Sequence, residues 1–262
     1  MTVRSAWNCL PLILLLSGAA PASAQGMTSG VNLSSKAFTT AEMTRADIEA
    51  LIAGRPGAGL DLSDKSLNGL DLSKLDLSKA NLRGARLIGS NLAGAKLSGA
   101  LLDGTWALKA DFSNADLSGA HLFGTQLMGA KLDHANLSGA RIAGDLTGAS
   151  LVGADLSKAD GSADMKNQSM GLMHAIMRST DLNGANFSNS DFSRVDIEFA
   201  KLGGADLSGA NFYHADGAGA DFRGAKLEGA NFEGIDLNSA KINASATNDF
   251  AKALNLDRAT KD

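Results

Sequence analysis

A large apolar residue recurs every five positions through most of this chain, at Leu82, Leu87, Leu92, Leu97 and Leu102, then at Phe112, Leu117, Leu122, Leu127, Leu132 and Leu137. Ala or another small residue usually stands two places earlier. On an α-helix five residues advance about 500°, which spreads successive leucines around the whole cylinder. On a flat strand five is odd, so each repeat would flip to the opposite face. Only a chain that bends once per repeat keeps every leucine on one side, and this predicts a solenoid closed by its own turns.

One frame runs from Leu62 through Leu67, Leu72 and Leu77 to Ile142, changed in type only at Ala107. The step from Ile142 to Leu146 is one residue short, and the frame continues through Leu151 and Leu156 to Gly161. The pattern blurs between Ser162 and Gly171. It resumes at Leu172 and Met177, one residue later than the beat requires, and is clear from Leu182 to Ile242. Because a short step and a long step cancel in register, the expectation is one solenoid with an irregularity at about 157–171, with two separate solenoids as the alternative.

Segments such as Ala80-Asn81-Leu82, Ala115-Asp116-Leu117-Ser118-Gly119 and Ala205-Asp206-Leu207-Ser208-Gly209 resemble the pentapeptide repeat family, A-(D/N)-L-x-x, over about residues 60 to 244. The resemblance implies an all-β solenoid, a right-handed quadrilateral β-helix with four pentapeptides per coil, the central Leu or Phe and the preceding Ala pointing inward. About nine coils at roughly 4.8 Å each make a rod on the order of 40 Å long. A coil this small has no core alone and is stabilised by stacking on its neighbours. Phe192, Phe212 and Phe232, spaced by twenty, are expected to stack in one core column.

Composition bears mainly on where such a chain works. Arg4, the apolar run Leu10-Pro11-Leu12-Ile13-Leu14-Leu15-Leu16 and then Ala22-Ser23-Ala24 have the order of a secretory signal peptide cleaved after Ala24. The alternative, an uncleaved anchor, meets the difficulty that the run is short for a membrane span. Cleavage removes Cys9, the only cysteine, and lowers the basic count from 24 to 23 against 28 acidic residues. The mature protein is therefore expected to be exported, periplasmic or secreted, free of disulfides and without a stable membrane span. Its mixed, mildly acidic charge does not form a basic nucleic-acid footprint.

The ends of a solenoid are raw strand edges that invite aggregation unless covered. After a flexible lead at 25–38, Thr39 and Glu42 suit a capping box. Met43, Ile48, Leu51 and Ile52 then follow helical spacing until Gly54-Arg55-Pro56-Gly57, which predicts a helical N-terminal cap and turn at 39–57. The repeat solenoid occupies 58–245. At 246–262 a short cap helix starting at Thr247 or Asn248 is expected to carry Phe250 and Leu254, followed by a tail.

Stacking the repeats twenty apart lets the outward columns be read. One holds Ser66, Arg86, Trp106 and Gln126 before the central residue, and Asn68, Ile88, Leu108 and Met128 after it. Leu101 and Phe123 lie on the neighbouring face. Trp106, Ile88, Leu108 and Met128 form an outward apolar patch, with Arg86 placed for a cation–aromatic contact. Such a patch marks a partner site or a self-association face; the alternatives are that the lead or the central irregularity folds over it, or that Trp106 turns inward beside Ala107. Asp196, Asp216 and Asp236 share another column, read as solvated, and His174, Arg194 and His214 share a third.

Catalysis has little in its favour: Asp and Ser are abundant because the repeat uses them, and none of the four histidines has a nucleophile or metal motif. Met165, Met170, Met173, His174 and Met177 raise copper binding as an alternative, against which Leu172 and Met177 sit at core positions. No cofactor is expected. The preferred function is an exported, nonenzymatic protein-interaction scaffold. The family resemblance adds a second alternative, a DNA mimic that binds DNA gyrase. Lys96, Lys131, Arg141, Lys201, Arg223, Lys226 and Lys241, which interrupt the acidic columns, and the signal peptide both argue against it.

Overall fold

Asp61, Ser66, Asp71 and Asp76 pair in parallel with Asn81, Arg86, Asn91 and Lys96, each twenty positions ahead, and Asn81 then pairs with Leu101. Four pairing sites per twenty residues make a coil with four sides. The computed structural model of the protein describes residues 32–54, 59–163 and 173–262. The signal-peptide residues, the stop at Arg55-Pro56-Gly57, and Leu172, Met165 and Met170 lie outside the described residues.

Each side repeats the same small unit. The central residue and the residue two before it are buried, as at Leu97 and Ala95 or Leu207 and Ala205. Below the last coil the amide of the central residue donates to the next coil, as from Leu97 to Asp116 O at 2.6 Å. The intervening Asp or Asn turns its side chain back on the corner: Ser73 N donates to Asp71 Oδ1 at 3.0 Å, Ala93 N to Asn91 Oδ1 at 3.0 Å and Ser118 N to Asp116 Oδ1 at 3.1 Å. This local side-chain bond satisfies a corner amide and explains the D/N of the repeat. Corner residues adopt left-handed backbone, and Lys109 at φ 56° stands in the same column as Gly89 and Gly129.

Where the small inward residue is Ser or Thr, its hydroxyl is spent inside. Ser90 Oγ donates to Leu67 O at 2.7 Å, Thr105 Oγ1 to Leu82 O at 2.8 Å and Thr125 Oγ1 to Leu102 O at 2.9 Å. The Phe column forms as expected: Phe192 and Phe212 stack at 6.1 Å between centroids, Phe212 and Phe232 at 5.8 Å.

The ladder is unbroken through the irregular centre, so the alternative of two solenoids is set aside, but the register differs from the expectation. Lys131, Asn136 and Arg141 pair with Ser150, Asp155 and Asp160, nineteen ahead. The lost residue is absorbed where strand β1 (His121–Gln126) pairs in parallel with strand β2 (Arg141–Asp145). Phe123 faces Ala143 and Gln126 faces Asp145, so three residues on one strand oppose two on the other, a bulge in place of a corner. Asp145, Ser150, Asp155 and Asp160 then pair with Ile176, Asp181, Asn186 and Asp191, thirty-one ahead. The next side after Asp160 thus begins at Ile176, and the coil carries eleven extra residues instead of one. Met177, expected in the core, is buried, and Leu172 lies outside the described residues; counting fives does not distinguish inserted residues from a degraded repeat.

The ends also depart in detail. Helix α1 (Lys36–Thr39) is a single turn within what the sequence reads as flexible lead, and helix α2 (Arg45–Gly54) follows it. The residues that start α2 are Thr44 and Asp47, not Thr39 and Glu42: Asp47 N donates to Thr44 Oγ1 at 3.2 Å and Thr44 N to Asp47 Oδ2 at 2.8 Å. Ile48 is buried in the same cluster as the first-coil leucines, with Met43 and Ile52 packed against it. At the other end the expected cap helix is replaced by 3₁₀ turns at Ala244–Asn248 and Leu256–Arg258. Phe250 is buried between the rings of Phe222 and Phe232, whereas Leu254 pairs with Asp236 and is exposed. Strand β3 (Lys241–Ile242) pairs in parallel with β4 (Thr260–Lys261), so the ladder outlasts the sequence repeat.

Candidate functional site

Ser66, Arg86, Trp106 and Gln126 bridge in succession along one side of the solenoid. Ile88, Leu108 and Met128, each half-buried, follow them on the same side. Leu101 stands on the adjacent side between Asn81 and His121, and Phe123 lies in β1 with its amide donating to Asp103 Oδ1 at 3.1 Å.

The start of this column is covered by the chain itself. Glu42 N donates to Ser66 O at 2.9 Å, Ser66 Oγ donates to Thr40 O, and Asn68 Nδ2 donates to Ala37 O at 3.2 Å. Ser66 and Asn68 are consequently buried, unlike the exposed polar residues of other outward columns. The ring of Phe38 packs edge-on against Trp106 at 5.2 Å between centroids. Among the described residues the aromatic partner of Trp106 is therefore Phe38, in place of the Arg86 contact that the column suggested. A mixed surface of this kind, an indole flanked by side chains that reach backbone carbonyls, can hold a short peptide turn by ring contact and hydrogen bonds together.

Among the described residues, two polar atoms in this column are buried without a protein partner, Arg86 Nε and Gln126 Oε1. Gln126 is only 2% exposed, and its amide nitrogen donates to Gly124 O at 3.2 Å. An unmet buried acceptor costs about 1–3 kcal/mol.

Further along the same side, the acidic column read as solvated is engaged by a cation. Arg178 Nε pairs with Asp196, and its Nη1 lies 2.8 Å from Glu198 Oε2. Burial and the neighbouring Asp216 carboxylate push Glu198 above the ordinary carboxylate range. Sequence reasoning missed Arg178; its signal was the spacing of twenty to Glu198, hidden until the frame resumes at Met177. Elsewhere the interrupting lysines pair with acids of their own columns, Lys201 with Asp181 and Lys226 with Asp206, both at 3.3 Å.

Of the methionines raised for copper, Met177 is core and Met173 lies beside Gly124. Arg194 and His214 occupy successive left-handed corners, while His174 belongs to the added residues of the long coil. Among the described residues no group of three or more His, Cys, Asp or Glu is placed to hold a metal ion, and no helix is long and apolar enough to cross a membrane.

The family model for pentapeptide repeats (8 copies) matches residues 66–104, 109–144, 172–209, 190–216, 196–234 and 218–243. No curated protein matches the chain in sequence. Among solved structures, HetL, a pentapeptide repeat protein involved in heterocyst differentiation regulation from the cyanobacterium Nostoc sp., is 30% identical; the match covers 83% of this chain and 94% of that one, with a TM-score of 0.46. Full-length QnrB1, a plasmid-mediated fluoroquinolone resistance protein, is 20% identical over 72% of this chain and 94% of that one, with a TM-score of 0.48. A pentapeptide repeat protein from the Arabidopsis thaliana thylakoid lumen is 33% identical over 40% of this chain and 67% of that one, with a TM-score of 0.25. With more than half of its length matched by the family model, this chain belongs to the pentapeptide repeat family.

Proposed function

We propose that this protein is an exported, nonenzymatic scaffold that binds another protein through the Trp106 side of its β-helix. The reading takes residues 1–24 as a cleaved signal, 39–57 and 246–262 as end covers, and the solenoid as a right-handed rod of about nine coils. One observation carries it: the Trp106 side already holds a peptide segment, with Phe38 against the indole and the carbonyls of Ala37 and Thr40 taken by Asn68 and Ser66. Ile88, Leu108, Met128, Leu101 and Phe123 extend the apolar surface beyond that segment, and Arg86 and Gln126 add buried polar atoms that have no partner among the described residues. A partner using aromatic contacts and backbone carbonyls matches this chemistry. Lys96, Lys201 and Lys226, paired with Asp76, Asp181 and Asp206 of their own columns, work against a continuous DNA-like acidic surface.

The test is affinity capture of the mature protein from its own envelope fraction, in parallel with a Trp106→Ala, Ile88→Asp variant of unchanged circular dichroism. Loss of one specific partner with the variant is the expected result. Capture of the same proteins by both forms, or recovery of the mature chain from the cytosol, refutes the reading.

A further inference from the structure

The C-terminal segment makes backbone hydrogen bonds to three sides of the last coil. Gly234 N donates to Lys252 O, Leu237 N to Leu254 O and Thr260 N to Ala240 O, at 3.0, 3.0 and 2.8 Å. Two ladders end without a further bridge: Asp160–Asp191–Asn211–Asn231 ends at Asn231, on the side where Gly234 N reaches Lys252 O and Phe250 packs against Phe232, and on the fourth side Asp155–Asn186–Asp206–Lys226 ends at Lys226. There the chain turns into the 3₁₀ segment Ala244–Asn248 instead of laying down another strand.

What that strand would have supplied is known from the coil below. Lys226 N donates to Ala205 O at 2.9 Å, while Leu207 N and Gly209 N donate to Lys226 O and Glu228 O, both at 2.8 Å. One coil on, the equivalents are Ala225 O, Leu227 N and Gly229 N, and among the described residues none of the three has a protein partner. Ala205 and Ala210 are fully buried, yet their counterparts Ala225 and Ala230 are partly exposed. A cavity of about 450 Å³ lies over this edge, between Phe222, Ala225 and Leu227 on the coil and Asn243, Ser245, Ala246 and Asp249 on the 3₁₀ side. Its volume falls within the usual range of about 300–1,000 Å³ for ligand sites.

We propose that this groove takes an extended peptide of a partner protein as an added parallel strand. The unfilled acceptor at Ala225 O and donors at Leu227 N and Gly229 N demand a backbone, with one N–H and two carbonyls spaced by two residues. Side-chain preferences follow from the column below. A small residue stacks over Ala225, a Leu-sized residue two places later stacks over Leu227, and the next residue meets Glu228. Glu228 and Asp249 on the rim have no basic partner among the described residues, whereas nearby Lys226 and Lys252 are paired with Asp206 and Glu233. The occupant is therefore small–any–Leu–basic in sequence. This site is separate from the Trp106 side and stands or falls independently of it.

The test uses the whole mature chain and the peptide acetyl-Ser-Gly-Ala-Asn-Leu-Lys-Gly-Ser-amide, followed by amide NMR. Saturable shifts at Leu227 and Gly229, with their hydrogen exchange slowed more than about tenfold, are expected. N-methylation of the peptide at Asn removes the donor for Ala225 O and is expected to weaken binding at least about tenfold. Ser245→Trp, an exposed substitution that fills the groove from its outer wall, is expected to abolish the shifts while leaving the melting temperature unchanged. Absence of shifts, or equal binding of the N-methylated peptide, overturns the proposal. So do concentration-dependent shifts of the same two amides without peptide, which assign the edge to a second copy of the chain.

Discussion

The ring of Phe38 meets the indole of Trp106 edge-on at 5.2 Å between centroids, although one residue belongs to the N-terminal segment and the other to the middle of a solenoid side. An aromatic pair of this geometry contributes about 0.5–1.5 kcal/mol beyond its buried area. In a chain starting at Gln25, which lacks Trp7, Phe38→Ala is expected to shift the Trp106 emission to longer wavelength while the β-helix stays folded. An unchanged emission maximum shows that the segment does not rest on the indole in solution.

The core predictions follow from stacking. Leu207 and Phe212 are fully buried in successive units of one coil. Leu207→Ala is expected to cost about 2–5 kcal/mol and Phe212→Ala about 3–5 kcal/mol, because neighbouring coils are held by the ladder and cannot collapse into the void. Thermal or urea unfolding measures both. The Phe212 loss is expected to be the larger, since Phe187, Phe192 and Phe232 all contact that ring.

Gly144 marks the nineteen-residue coil. A Cβ at this position would collide with Thr125 O across the β1–β2 pairing, so the two backbones approach too closely for any side chain. Gly144→Ala is expected to lower the melting temperature by several degrees, whereas Ser98→Ala, on an ordinary outward position, changes it little.

Acid stability has a defined sign. The serine hydroxyl and amide two positions on hold the carboxyls of Asp71, Asp76 and Asp206 below their ordinary value of 3.8. A folded-state value below the unfolded one means that these groups stabilise the fold above pH 3.8, and that the contribution is lost as pH falls through the folded value. The melting temperature is expected to drop as pH falls below 3.8. Asp76→Asn keeps an acceptor for the corner amide, as Asn81 and Asn91 do. It is expected to flatten part of that decline.

Glu198 has the opposite sign. Burial and Asp216 raise its folded value above the ordinary 4.5, so its ionised form opposes folding at neutral pH despite the Arg178 pair. Glu198→Gln, which retains an acceptor for Arg178, is expected to raise the melting temperature near neutrality. The gain disappears once the pH is low enough to protonate Glu198 in both states. A loss of stability at neutral pH would show that the Arg178 pair outweighs the burial and repulsion.

The five-residue beat, by itself, determined the coil: Leu at one position, Ala two before it and Asp or Asn between them dictate which side chains enter the core and which cap the corners. It also placed Trp106 in line with Arg86 and Gln126, because a fixed coil length turns sequence distance into column membership. Tertiary structure decided what lies against those columns. That Phe38 packs on Trp106, that Thr44 and not Thr39 starts α2, and that Phe250 packs on Phe222 and Phe232 while the Leu227 edge stays open all depend on contacts between segments outside the repeat and surfaces made by several coils at once. Likewise, a coil of thirty-one residues is invisible to a periodic count, since its length shows only in the pairing of Asp145 with Ile176 and of Asp160 with Asp191. Repetition writes local geometry into every unit, whereas the placement of non-repeating segments is settled only by the surface they meet.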